Sequence, residues 1–232
     1  MRLRIVAPVM ALGLAALPAV GQAPQDTRPG IAVLPFDNGG SYGQDRENFD
    51  ALQRGIAGML ISELAANPAA RVVEREQVQH ILDEQNLGTS GRVDAQTAAR
   101  VGKLVGARYM VMGTFIDFYG DFRVDVRLVS VETSEVVKTE SERAQRDHLF
   151  TIIQNVAAKL MRGANLPPLP RQVSEERQSR QVPTEALTYY SRATLYPDRG
   201  QKDRAIEMYN RALAVFPDYT EAKEGLQRAE RS

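Results

Sequence analysis

The sequence contains no cysteine, no tryptophan and only two histidines among its 232 residues. Without cysteine, disulfides, thiolate zinc sites, iron–sulfur clusters and cysteine nucleophiles are excluded. A lipid anchor on cysteine is excluded for the same reason, so we expect the protein not to be a lipoprotein. Lysine plus arginine (29) equals aspartate plus glutamate (29), and this neutral balance gives no electrostatic reason to expect nucleic-acid binding.

The chain does have enough apolar sequence for a folded core, with 43% hydrophobic and 25% charged residues. It has no phosphate-binding glycine loop, dinucleotide-binding glycine pattern, paired-histidine zinc motif or nucleophile elbow. His80 and His148 lack a second metal ligand at helical spacing, so both are expected to be surface residues. Glu74, Arg75 and Glu76 fit an exposed, charged helix start better than an acid–base pair. We therefore predict no catalytic residue, no cofactor, no metal site and no enzymatic activity.

The N-terminus has the three zones of a secretory signal peptide. Arg2 and Arg4 precede an uncharged run from Ile5 to Val20, and small residues follow at Gly21 and Ala23. The run is short for a membrane-spanning helix, so an uncleaved anchor is the weaker alternative. We predict a signal peptide over residues 1–23, cleaved between Gly21 and Ala23, and a periplasmic mature protein with no membrane span.

Residues 30–162 alternate between short apolar runs and helical periodicity, which predicts a mixed α/β domain. The first strand–helix–strand unit predicts a parallel pair, and the last three strands predict an antiparallel meander. Strands are expected at 31–36, 71–73, 109–115, 122–130 and 136–141, and helices at 45–67, 76–87, 94–105 and 147–162.

Two features of this domain each have a structural and a functional interpretation. Asp37–Gly40 follows a buried strand, where α/β proteins often bind ligands, although the same residues fit a simple turn. Arg123, Asp125 and Arg127 form a charged stripe on the open face of a strand. They could be cross-strand pairs that protect a sheet edge or part of a partner-binding face. The turn and the structural pairs are the favoured interpretations.

The pattern changes after Gly163. Residues 163–183 contain Pro167, Pro168 and Pro170 among mixed polar residues, and they predict a linker that is partly helical near its end. Residues 184–232 are wholly helical and resemble one tetratricopeptide repeat followed by a further helix. The repeat's packing positions are Tyr189, Ala193, Tyr196, Ala205, Tyr209, Ala212 and Pro217.

A single helical repeat cannot bury both of its faces by itself, so we expect this hairpin to dock on the preceding domain or on another subunit. The exposed groove side of its first helix would present Leu187, Tyr190 and Thr194, which are the candidate partner-binding residues. The alternative is that these three side chains only pack inside the protein.

An ordered set of segments in the α/β domain resembles the CsgG family, the curli secretion channel group. The pattern is also similar to the penicillin-binding-protein activator LpoB and, more loosely, to the TolB N-terminal domain. The resemblance covers about residues 30–162. It rests on Ile31–Asn38, Val73–Arg75, Leu82–Gln85, Ala98–Ala107, Gly113 and Arg127–Thr133.

The resemblance implies a periplasmic cell-envelope domain with a CsgG/TolB-N-like sheet and flanking helices. Channel members of the family have two long hairpin insertions that cross the membrane. The corresponding connections here, Asp117–Asp121 and Ser141–Asp147, are only a few residues long. What is implied is therefore an accessory domain without a pore or a lipid anchor. The expected fold class is α/β (mixed α+β), followed by a small all-α, TPR-like helical hairpin.

We predict a non-enzymatic exported accessory protein that acts as an adaptor or scaffold for envelope proteins, such as secretion or cell-wall machinery. A subunit of a curli-type outer-membrane secretion complex is the first alternative. A small-ligand sensor that uses Asp37–Gly40 is the second. The partner and the oligomeric state stay open, and a homo-oligomer is compatible with the sequence.

Overall fold

A computed structural model describes residues 26–85, 87 and 93–231. The predicted signal peptide, with its cleavage positions Gly21 and Ala23, lies outside the described residues, as does Gly88 after the second predicted helix. Short 3-10 turns lie at Arg146–His148 and Pro197–Arg199. The elements in chain order are β1 (Gly30–Val33), β2 (Asp37–Asn38), α1 (Arg46–Ala65), β3 (Arg71–Val72), α2 (Arg75–Glu84), α3 (Ala95–Leu104), β4 (Tyr109–Phe118), β5 (Asp121–Ser130), β6 (Val136–Gln145), α4 (Leu149–Gly163), α5 (Arg171–Ser179), α6 (Thr184–Leu195), α7 (Lys202–Val215) and α8 (Thr220–Arg231).

The strands form one open sheet in the order β3-β1-β4-β5-β6, with β2 paired to β4 beyond the end of β1. β1 pairs in parallel with both β3 and β4, which confirms the predicted strand–helix–strand unit. β4, β5 and β6 form the predicted antiparallel meander. The mixed α+β fold class is therefore confirmed.

Helices cover the two faces of the sheet unequally. Because side chains alternate along β1, Val33 points into a core shared with α1 and α4, while Ala32 joins a second core under α2 and α3. Asp94 begins α3 by accepting a hydrogen bond from the backbone N–H of Thr97 (2.7 Å). Beyond α2 and α3, the second face carries exposed polar side chains of β5 and β6.

β6 is longer than the sequence predicts. It extends to Gln145, so Ser141–Gln145 lies in a strand where a connection to the last helix was expected. The residues of β6 are exposed or half-buried along its whole length, and charged residues occur on both of its sides. The hydrophobic alternation that delimits a strand is therefore missing, and only the backbone pairing with β5 reveals that the strand continues beyond Ser141.

Residues 163–183 are folded onto the domain rather than forming an open linker. α5 lies within this segment. The Asn67 side chain donates a hydrogen bond to the carbonyl of Pro167 (2.9 Å), and Gln154 donates one to the carbonyl of Arg177. Val182 is buried in the main core. The predicted partial helix is confirmed, while the domain boundaries stay a prediction.

The C-terminal helices dock on their own chain. α6 lies against α1, and two glycines of α1 permit the close approach. A Cβ atom at Gly55 would lie 3.0 Å from the Cα atom of Ser191, and one at Gly58 would lie 2.4 Å from the Tyr190 hydroxyl. One apolar cluster continues from β1 and α1 through α6 and α7 to Ala229 of α8. The sequence left open whether the hairpin docks on the preceding domain or on another subunit. In the structure it docks on the preceding domain.

Ion pairs surround this contact. Asp198, at the α6–α7 turn, forms ion pairs with Arg54 of α1 and with Arg75 of α2. Arg192 donates a hydrogen bond to Asn48 (2.9 Å) near the start of α1. At the other end of α1, Ser62 donates a hydrogen bond to Glu221 of α8 (2.9 Å). These partners are more than 100 residues apart in sequence, so the contacts tie the two ends of the chain together.

Glu63 of α1 makes the free energy of unfolding depend on pH. Its side chain is 4% exposed and lies 2.7 Å from Arg177. Burial raises the pKa of Glu63 above its ordinary value, and the attraction of Arg177 only partly opposes this shift. The folded state therefore binds the Glu63 proton more tightly than the unfolded state, so this residue favours folding more as pH falls from neutral towards 4.5.

We expect Glu63→Gln to be at least as stable as the wild type at pH 7.5 and to flatten this part of the pH profile. Urea unfolding between pH 4.5 and pH 8 measures both effects. The control is Glu207→Gln, an exposed residue of α7, which should keep the wild-type profile. A steeper loss of stability at neutral pH in Glu63→Gln would show that the Arg177 pair outweighs the burial of the charge.

Candidate partner-binding surface

The predicted partner-binding face of α6 is not exposed. Leu187 is 1% exposed, and Tyr190 and Thr194 are each 4% exposed. The reason is the docking of α6 on α1, with the Tyr190 hydroxyl against Gly58. The expectation that these three side chains form an open groove is wrong. They pack inside the protein, which was the alternative interpretation.

Most of the predicted repeat-packing residues lie in the core. Tyr189 is half-buried with the Arg211 guanidinium 5.9 Å above its ring, and Pro217 is exposed just after α7. The tetratricopeptide repeat itself stays a prediction. The buried members of the set are Ala193, Tyr196, Ala205, Tyr209 and Ala212.

Asp37–Gly40 comprises the short strand β2 and the start of a turn, beside a cleft. The Asn38 side-chain oxygen accepts hydrogen bonds from the backbone N–H groups of Gly40 (3.0 Å) and Ser41 (2.9 Å). Two adjoining clefts of about 100 and 210 Å³ are both lined by Asp37 and Met112. The residues fit the favoured turn, and the small-ligand sensor stays an alternative.

The histidines offer no metal site. The side chains of His80 and His148 are 71% and 64% exposed, as predicted for surface residues. Across the described ranges, no three His, Asp or Glu residues are grouped closely enough to hold a metal ion. Arg75 departs from expectation because it is buried rather than part of an exposed helix start, and it pairs with Asp198. Burial lowers the pKa of Arg75, but Asp198 and Glu76 more than offset this and leave it raised.

The charged stripe of β5 lies on the open face of the sheet. Arg123 donates a hydrogen bond to Asp125 of the same strand (2.8 Å) instead of pairing across strands. Its opposite neighbour on β6 is Arg143, which forms an ion pair with Asp121. Arg127 is exposed and has no ion pair with any described residue. The interpretation of the stripe as part of a partner-binding face therefore stays a prediction.

A cluster of exposed aromatic residues lies at the end of the β4–β5 hairpin. Tyr42, Phe118 and Tyr119 are 59%, 58% and 73% exposed, and we name these three residues the aromatic tip. The Phe118 ring packs edge-on against Tyr42 (6.0 Å between centroids) and against Tyr119 (5.2 Å). Exposed aromatic clusters of this kind are typical of interaction sites.

A buried carboxylate holds the aromatic tip in place. Asp117 is fully buried and pairs with Arg146, whose Nη2 donates a hydrogen bond to it (2.8 Å). It also accepts hydrogen bonds from Gln44 (3.1 Å) and from the backbone N–H of Gly120 (2.9 Å). One side chain thus joins the loop before α1, the hairpin turn and the end of β6.

The backbone around the tip is tightly constrained. Tyr119 and Gly120 form the two-residue turn, with φ values of 52° and 99°, a geometry that favours Asn-Gly and disfavours an aromatic residue. Tyr42 donates its backbone N–H to the carbonyl of Asp117 (2.7 Å), and Tyr119 donates to the carbonyl of Tyr42 (3.1 Å). The backbone that carries the three rings is consequently ordered before any partner arrives.

Sequence reasoning missed this surface because it assigned Asp117–Asp121 to a short connection. The signal was present: Phe118 and Tyr119 precede Gly120, and a turn at a strand end normally carries polar residues. Tyr42 could not be joined to them from the sequence, since its pairing with Phe118 depends on the path of the loop that follows β2.

Residues 14–123 match the family model described as curli production assembly/transport component CsgG. The resemblance to the CsgG family is confirmed. The CsgG match includes the whole aromatic tip and Asp117, and it ends inside β5. β6 and all helices from α4 onward lie outside it, so the docked C-terminal helices are additional to the matched CsgG region.

Several solved structures are similar to part of the chain. TolB from Acinetobacter baumannii shares 16% identity at a TM-score of 0.42, covering 60% of this chain and 29% of the TolB chain. The LpoB C-terminal domain from Salmonella enterica shares 20% identity at a TM-score of 0.35, covering 50% of this chain and 82% of the LpoB chain. A PelC dodecamer from Paraburkholderia phytofirmans shares 15% identity at a TM-score of 0.33, covering 60% of this chain and 89% of the PelC chain. The comparison with curated proteins found no match.

Proposed function

We propose that the protein is a non-enzymatic accessory protein of the cell envelope, exported to the periplasm, which acts as a protein–protein adaptor without a pore of its own. The match to a curli assembly and transport component supports the envelope setting. No helix among the described residues is long and apolar enough to cross a membrane. The observation that carries the adaptor role is the aromatic tip.

The physical argument rests on exposure combined with rigidity. Burying exposed aromatic area against a partner is favourable, and aromatic residues dominate the binding energy of many interfaces. A surface that is already ordered loses little conformational entropy on binding. The fully buried Asp117 and its three partners supply that order. The cost of exposing three aromatic rings, two on a constrained hairpin and one on the adjoining loop, is explained if a partner covers them.

Site-specific photo-crosslinking in cells tests this function. A benzoylphenylalanine at position 119 should form an adduct of defined mass with one envelope protein. The matched position is Leu104, an apolar residue at the end of α3 that is 56% exposed, where no such adduct should form. Phe118→Ser should abolish the adduct at position 119. Equal labelling at both positions, insensitive to Phe118→Ser, would contradict the adaptor function.

Tyr119→Asn should separate stability from function. Because Asn suits a turn with two positive φ values, the free energy of unfolding should rise by about 0.5–1 kcal/mol. Crosslinking from a benzoylphenylalanine at position 42 should fall, since one ring of the tip is lost. Urea unfolding measures the first effect and adduct yield the second.

The control for this variant is Ser134→Asn. Ser134 also has a positive φ (61°), in the turn between β5 and β6 at the other end of the sheet. It should give a similar gain in stability with no change in crosslinking. Unchanged crosslinking in Tyr119→Asn would remove the tip from the interface.

A further inference from the structure

An open groove runs beside the aromatic tip and has a volume of about 440 Å³. Tyr119 and Asp147 are both 73% exposed and line it, together with Thr184 of α6. Gly43 and Gly120 also line it, and both have positive φ values. A Cβ atom at Gly43 would lie 2.9 Å from the Cα atom of Tyr119, so a side chain there would displace the ring that borders the groove.

The charge in this groove is unbalanced. Arg146 also lines it, but its guanidinium is paired with the buried Asp117, so its positive charge is already neutralised. Asp147 has no ion pair with a lysine or arginine in the described part of the chain, and the His148 ring lies 3.6 Å from its carboxylate. The groove therefore presents one uncompensated carboxylate and one exposed aromatic ring.

We propose that this groove binds a cationic side chain, lysine or arginine, in an exposed segment of a protein partner. A cation is attracted to the face of an aromatic ring and to a carboxylate, and the groove offers both. Apolar residues flanking the cation would contact Phe118 and Tyr42, beside the same hairpin. This inference deepens the proposed adaptor function and rests on it.

Nuclear magnetic resonance titration of the ¹⁵N-labelled full chain tests the inference with two matched probes. The first is N-acetyl-lysine methylamide, and the second is N-acetyl-norleucine methylamide, which lacks the ammonium group. The lysine probe should shift the amide signals of Gly43, Tyr119 and Gly120 and should bind at least about threefold more tightly than the norleucine probe. Raising NaCl from about 50 to about 500 mM should weaken only the lysine probe.

Variants then assign the effect to the groove. Asp147→Asn should weaken the lysine probe about two- to fivefold, and Tyr119→Asn should weaken it by a similar factor. Glu132→Gln is the control, because Glu132 is an exposed carboxylate without an ion pair among the described residues, in the turn after β5. Equal affinity for the two probes, or an Asp147→Asn variant that binds lysine as the wild type does, overturns the inference.

The outcome is separable from that of the adaptor test. If the adduct at position 119 forms in cells but the lysine probe does not bind, the adaptor function stands and the cationic chemistry of the partner is wrong. If the lysine probe binds as expected but no adduct forms, the cation site stands and the adaptor function is wrong.

Discussion

Replacing Asp117 by asparagine is expected to lower the free energy of unfolding by about 2–3 kcal/mol. The substitution removes the buried negative charge that pairs with Arg146 and weakens the hydrogen bonds from Gln44 and Gly120. Because this carboxylate joins three segments, the aromatic tip should also lose its order. Urea unfolding measures the stability, and the crosslinking yield at position 119 reports the state of the tip.

Asp121→Asn is the matched control. Asp121 lies on the same hairpin and also pairs with an arginine, but its side chain is 37% exposed. An exposed ion pair contributes little, so the change in stability should be under about 1 kcal/mol. If Asp117→Asn is equally mild, the carboxylate does not organise the tip, and the preformed surface on which the adaptor function depends is absent.

Gly55→Val should have a comparably large effect at the contact between α1 and α6. A Cβ atom at this position would lie 1.9 Å from the Ser191 hydroxyl and 3.0 Å from the Ser191 Cα atom, so the helices must separate. Overpacking of a well-packed contact costs about 1–3 kcal/mol, and we expect the upper end because backbone is involved. Hydrogen exchange should show loss of protection concentrated in α6 and α7.

Two further variants identify the cause of this loss. Ala65→Val adds the same kind of side chain to α1 at an exposed position and should cost only about 0.5 kcal/mol, from helix propensity. Ser191→Gly combined with Gly55→Val should recover part of the lost stability, since it removes the facing side chain. Additive effects of the two substitutions would show that the clash is not the reason for the loss.

The sheet and its flanking helices were predictable because burial leaves a periodic pattern. Strands β1, β4 and β5 carry enough buried residues to show it, and the cap at Asp45 marks the start of α1. β6 could not be delimited, because an edge strand with exposed charges has no such pattern. α5 likewise has no buried residue of its own, so only contacts such as those of Arg177 with Gln154 and Glu63 reveal that it is packed.

The site was harder to predict than the fold for a specific reason. The apolar face of α6 was visible in the sequence, but a helix has the same pattern whether a partner or its own chain covers that face. Tyr190 looked available because nothing in its neighbourhood along the chain shows that Gly58, over 130 residues earlier, leaves room for its hydroxyl. The aromatic tip was hidden in the opposite way, within residues that a local reading assigns to a turn.

The sharing of one core by both ends of the chain bears on how the molecule is made. Ile31 and Ala229 belong to the same apolar cluster, yet they are separated by almost the whole chain. A ribosome needs about 10–40 s to synthesise the residues between them. During most of that interval the face of α1 with Gly55 and Gly58 lacks α6, the helix that covers it in the folded protein. The nascent chain should therefore be a substrate for chaperones until α6 has been synthesised, and translation pauses before α6 should raise its tendency to aggregate.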